Sequence, residues 1–215
     1  YVSPSNLVRC GSMFGFDFIF GELFHKLLPF DYDHFFKNPI GYEAGATDLA
    51  TGKILYFDKS HLGDNMEAVR ASSAQPFLSH PIQYNNLYLL DGSVSQAIPL
   101  RRAEEAGCHK NVVILTRDDT YRKSEKPEYP GPVIRARYWR YPAFAEALCH
   151  RGEVYNALRQ ECIQREVSGN AIVIRPSRPI TMSSFCRDPA QLMEVYALGV
   201  EDTAARLNEI REFLK

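Results

Sequence analysis

The chemistry in this sequence is concentrated in Tyr88-Leu89-Leu90-Asp91-Gly92-Ser93, followed by Ile98-Pro99. A short apolar strand, Leu87 to Leu90, ends on a carboxylate. Open α/β sheets place their active sites outside the carboxyl ends of such strands. A carboxylate there can take a proton from an attacking group. Gly92 lets the chain turn sharply and brings other groups close to Asp91. Asp-Gly alone is a common turn pair, so the catalytic reading depends on what surrounds it.

Other polar residues carry less. Asp48, in Ala46-Thr47-Asp48-Leu49-Ala50-Thr51-Gly52, reads as part of a hairpin turn. Ser72 and Ser73 lack a neighbouring base and read as helix or turn residues. Six histidines (His25, His34, His61, His80, His109, His150) are scattered without ligand spacing, so no metal is expected. Arg135 to Tyr141 mixes cations with aromatics and reads as an amphipathic strand and loop. The Phe-rich stretch Phe14 to Phe24 reads as core packing rather than as a groove for acyl chains. A formal net charge of -1 gives no bulk attraction for nucleic acid. No apolar run of membrane-spanning length occurs. Five dispersed cysteines with no C-x-x-C pair fit reduced thiols and a cytoplasmic setting.

Several elements must position Asp91. Apolar periodicity predicts a helix up to Leu28, and Asp31 is a candidate N-cap for a short helix through Phe36. Tyr42 to Leu49 and Lys53 to Phe57 form a hairpin across Ala50-Thr51-Gly52. Asp64 caps a helix running toward Pro76. Leu100 to Ala106 is a helix ended by Gly107. Asn111 to Thr116 and Ala171 to Pro176 are buried strands. A surface loop runs from Asp118 to Pro132. Helices follow at Pro142 to Cys149 and Glu153 to Val167. The final stretch, from Pro189, is helical with a break near Gly199. Alternating strands and helices imply an α/β fold with a mainly parallel central sheet. Residues 1–215 form one domain, with a core over 1–140 and a helical and strand extension over 141–215 packed on it.

Ala71-Ser72-Ser73-Ala74-Gln75-Pro76 precedes Tyr88-x-x-Asp91-Gly92, and Thr47-Asp48-x-x-Thr51-Gly52 lies upstream. In this order the segments resemble the patatin-like phospholipase family, with its A-S-x-A-x-P and D-G motifs. Leu115-Thr116-Arg117, Tyr121-Arg122-Lys123, Tyr141-Pro142, Arg151, Tyr155-Asn156 and Ile174-Arg175-Pro176-Ser177 resemble a bacterial branch of that family. The resemblance implies a three-layer α/β/α fold and a Ser-Asp dyad in which Asp91 is the general base. It implies hydrolysis of lipid carboxylic esters through an acyl-enzyme, without a cofactor or calcium. Ser93 stands where the family has a second glycine.

The family's G-x-S-x-G nucleophile elbow and oxyanion loop are not found in the 215 residues. Gly11-Ser12-Met13-Phe14-Gly15 has the wrong spacing. The expectation is that Tyr1 lies downstream of the nucleophile and of the sheet's first strands, so the chain by itself is inactive. The intact protein is expected to be a serine acyl hydrolase. Its substrates would be lipids or other esters, with transient contact to a membrane surface and no nucleic-acid partner. The alternative is a patatin-fold binding or scaffold protein that has lost its nucleophile.

Overall fold

A computed structural model describes all residues except Tyr1, Val2, Pro4, Leu7, Arg9, Cys10 and Ser184. The chain forms two compact units. One comprises residues 1–97 and 125–154; the other comprises 98–124 and 155–215.

The first unit is organised by a four-stranded sheet. β1 (Glu43–Asp48) and β2 (Ile54–Asp58) form the expected hairpin. β4 (Leu87–Asp91) pairs with β1 on one side and with β3 (Ile82–Tyr84) on the other. The order is β2-β1-β4-β3 and every pairing is antiparallel. The chain is mixed α/β as expected, but this four-stranded sheet is antiparallel, and parallel pairing is found only between the two strands of the second unit among the described residues. The reason is local: Asn85 and Asn86 both adopt positive φ (47° and 62°), the two-residue turn that folds β3 directly back onto β4.

Alternation along β4 covers both faces of the sheet. Leu89 packs with Ala44, Ala46, Phe57 and Leu62 against α2 (Glu67–Ser72). Ala68 and Ala71 of that helix are fully buried on small residues of β1. Leu90 points into a second cluster with Leu49, Tyr138, Phe144 and Leu148. Leu49 directly follows β1, Tyr138 is the C-cap of α4 (Gly131–Arg137), and Phe144 and Leu148 lie at the start of α5 (Pro142–Val167). The chain enters through a π-helix (Phe18–Leu27) and α1 (Tyr32–Lys37). Asp31 caps α1 as expected, accepting from His34 N–H at 2.8 Å. Asp64 does not cap α2. Its N-cap is Met66, at φ 58° and without a side-chain bond, because the preceding turn carries the chain past Asp64 before the helix begins. The Phe-rich stretch divides: Phe16 is buried and Phe14 and Phe20 lean on the core, while Phe18, Leu27 and Leu28 are exposed.

The second unit contains α3 (Leu100–Glu105), β5 (Asn111–Ile114), β6 (Ala171–Ile174), α6 (Pro189–Ala205) and α7 (Leu207–Leu214). β5 and β6 are parallel. β6 is buried throughout, whereas β5 exposes Val112 and Ile114, the latter at 72%, so the buried β5 expected from its sequence is corrected. The expected gap after Cys149 is absent, since α5 is one 26-residue helix; Gly152 costs a helix interior only about 1 kcal/mol. Arg135 and Arg137 lie on α4, not on a strand. The C-terminal break falls at Arg206 rather than Gly199. The Arg206 guanidinium holds Glu209, Glu166 and the Val173 carbonyl, which fixes the chain where α6 stops.

The expected surface loop after Asp118 is anchored from below. Arg159 is 1% exposed and donates to the Asp118 and Asp119 carbonyls (3.1 and 2.9 Å) and to Asp119 Oδ1 (3.3 Å). Arg159→Met would remove these three bonds, leaving the Asp118 carbonyl to Tyr121 N–H (3.3 Å) and the Asp119 carbonyl to Arg122 Nη1 (2.9 Å). Hydrogen bonds from a charged donor are worth about 1.5–3 kcal/mol, so urea unfolding should show a loss of about 2–3 kcal/mol.

Candidate functional site around Asp91

Asp91 is the last residue of β4 and N-caps the 3₁₀ turn Gly92–Val94. Ser93 N–H donates to Asp91 Oδ1 at 2.7 Å. Oδ2 accepts no hydrogen bond, and no cation pairs with the carboxylate, among the described residues. The side chain is half-buried. The carboxylate is thus oriented by one backbone amide while its second oxygen stays available.

Three segments meet at its backbone. Asp91 N–H donates to the Ala74 carbonyl at 2.9 Å, which ties β4 to the Ala71–Pro76 run. Thr47 Oγ1, fully buried, donates to the Asp91 carbonyl at 2.9 Å. Ser95 Oγ lies 3.0 Å from Thr47 Oγ1 and 2.8 Å from the Gly52 carbonyl. The turn of the β1–β2 hairpin and the Asp91-Gly92 turn are therefore latched together. Sequence reasoning did not single out Thr47 or Ser95, although Thr47 opens the Thr47-Asp48-x-x-Thr51-Gly52 segment.

Gly92 has a different role from the one its type suggests. Its φ is not positive. A Cβ there would lie 2.3 Å from the Gly45 carbonyl oxygen, so β1 and the turn after Asp91 can approach this closely only without a side chain. Asp48 shapes its own turn: its carboxylate accepts from Ala50 N–H (3.2 Å), Thr51 N–H (3.1 Å) and Thr51 Oγ1 (2.7 Å). Those bonds occupy the carboxylate and leave it no role as a base. Ser73 Oγ donates to the Val69 carbonyl at 3.2 Å, a helix-end contact. Beyond Pro76, Phe77 takes φ 64°. Its N–H donates to Tyr138 Oη (3.1 Å) and its ring stacks on Tyr129 at 4.0 Å. Burial raises the Tyr138 phenol above its ordinary range, consistent with a structural anchor.

One further Ser-His-Asp cluster occurs in the same unit. Ser60 Oγ and His61 Nδ1 lie 2.6 and 2.9 Å from Asp58 Oδ1, and 2.9 Å from each other. A relay needs the serine on one ring nitrogen and the carboxylate on the other; here both sit on Nδ1. The Ser60 hydroxyl and the His61 ring hold the Asp58 carboxyl down to about 2, and Asp58 caps its own turn. Among the described residues no three His, Cys, Asp or Glu side chains converge to hold a metal, and no helix is long and apolar enough to cross a membrane.

Residues 141–215, roughly the C-terminal third of the chain, match the model of a family described as a domain of unknown function, DUF6363. That similarity begins at the foot of α5 and ends beyond α7. Asp91 and the segments that latch it lie outside the matched span.

Proposed function

We propose that the protein is a patatin-like serine acyl hydrolase, acting on carboxylic esters of lipids, with Asp91 as the general base. The observation that carries this reading is the Asp91 carboxylate. It stands at a strand end, is oriented through one oxygen by Ser93 N–H, and keeps its second oxygen open. A base of this kind takes the proton of a serine as the serine attacks the ester carbonyl. The acyl-enzyme is then hydrolysed by water that returns its proton through the same carboxylate. The convergence of the Thr47–Gly52, Ala71–Pro76 and Asp91–Ser95 segments supports the resemblance, because motifs distant in sequence share one locus.

On this reading the serine and the oxyanion donors come from outside the 215 residues. They would sit on further strands of a three-layer fold whose central sheet is largely parallel. The reading also places the protein in the cytoplasm, and Cys108, Cys149, Cys162 and Cys186 are free thiols. The full-length protein is expected to hydrolyse p-nitrophenyl acyl esters, and the 215-residue chain alone is expected to have no rate above buffer. Turnover by the short chain, or none by the full-length protein, would refute the proposal; the latter result would favour a non-catalytic scaffold.

A further inference from the structure

We infer that the first unit carries a binding site for a single-chain anionic amphiphile, with its charged group on Lys59 and its alkyl chain against α1. Two cavities adjoin at this lysine. One, of 380 Å³, is walled by Phe30, Phe35, Ile40 and Tyr42. The other, of 490 Å³, is more polar, with Ser60, Asp64 and Asn65 facing Phe20 and Tyr32. Lys59 lines both. Each volume falls within the range of about 300–1,000 Å³ typical of small-molecule sites. Asp91 lines neither cavity, so the inference does not rest on the hydrolase reading.

The charge pattern selects the ligand. Lys59 Nζ donates to the Asn38 carbonyl at 2.8 Å and lies 4.9 Å above the Phe35 ring. No carboxylate compensates it among the described residues. Asp31, which also lines the apolar cavity, is engaged at the other end of α1, where it accepts from His34 N–H. Asn38 and Asp31 cap opposite ends of that helix, so the two charges are separated by about 10 Å at 1.5 Å per residue. An anion on Lys59 therefore avoids Asp31 while the chain attached to it runs over apolar wall. Asp64, on the polar side, suits a head group that carries an ammonium beyond its anion. The wall is accessible from outside: Ile40 is 72% exposed, and Phe30 and Tyr42 also remain open.

The shared chemistry is one alkyl chain joined to an anion. Its sources are a free fatty acid or a single-chain phospholipid. Calorimetric titration of the full-length protein, below the micellar concentration, separates them: decanoate in one arm, an ether-linked decyl lysophosphatidylethanolamine that an ester hydrolase cannot cleave in another, and uncharged 1-decanol as control. Saturable binding of one anionic amphiphile per chain is expected, strengthening by up to about fourfold per added methylene. Lys59→Met retains the stem over Phe35 and should weaken the anionic ligands by about tenfold while leaving 1-decanol unchanged. Ile40→Ser, at an exposed position with no folding role, should weaken all three. Tighter binding of decanoate identifies the fatty acid as the ligand, and tighter binding of the lysolipid identifies the phospholipid. Equal loss for charged and uncharged ligands in Lys59→Met, or binding only once micelles form, would overturn the inference.

Discussion

Asp91→Asn in the full-length protein should lower ester turnover by about 10³-fold, within the range general-base catalysis supplies, and leave the fold standing. The amide oxygen of Asn can still accept Ser93 N–H, as Oδ1 does now at 2.7 Å, and Asn serves as well as Asp at a cap. Since the carboxylate forms no ion pair among the described residues, its loss should change stability by no more than about 0.5 kcal/mol. What the amide cannot do is take the proton of an attacking serine. Measuring turnover alongside urea unfolding separates the two effects. A variant that keeps its rate would remove Asp91 from the chemistry, and one that unfolds would make the position structural.

Gly92→Ala should be the most damaging small substitution near the site. The added methyl would sit 2.3 Å from the Gly45 carbonyl oxygen and 2.8 Å from its carbon, both backbone atoms that no rotamer change can move. Relief requires β1 and the turn after Asp91 to separate, straining the Thr47 latch onto the Asp91 carbonyl. A cost of about 3 kcal/mol is expected from overpacking, read as a lowered urea midpoint. In the fraction that remains folded, a displacement of Asp91 by about 1 Å is enough to cost about 10²-fold in rate. Gly199→Ala is the control: nothing lies within 4 Å of the added Cβ on α6, and the change should stabilise by about 0.5–1 kcal/mol.

What could be read from the sequence was what local chemistry decides. The Asp31 cap, the β1–β2 hairpin, the end of β4 at Asp91 and the helix stop near Gly107 each follow from a few adjacent residues, and each is found. The Asn85-Asn86 turn is equally local: two residues tolerant of positive φ between β-forming runs mark a hairpin, and β3 and the antiparallel pairing of β4 follow from it. Other features depend on distant partners. The continuity of α5 through Gly152, the break at Arg206 held by Glu166 and Val173, and the burial of Arg159 beneath Asp118 and Asp119 have no local signature. At the site, Asp91 is legible as a residue type at a strand end, but the Thr47–Ser95 latch joins positions 48 apart and leaves no local signature. The role of Gly92 likewise changed from a turn former to a residue that permits close approach of two backbones.

The central claim is that a carboxyl group at the end of β4 activates an alcohol supplied by another stretch of polypeptide. Its most direct test is the rate of fluorophosphonate labelling of full-length protein, native and Asp91→Asn, with the modified residue located by peptide mass spectrometry. The account predicts one rapidly labelled serine outside the present 215 residues, and a rate lower by about 10³-fold in the variant. Equal labelling of the two proteins, or a modified serine within this chain, would contradict it.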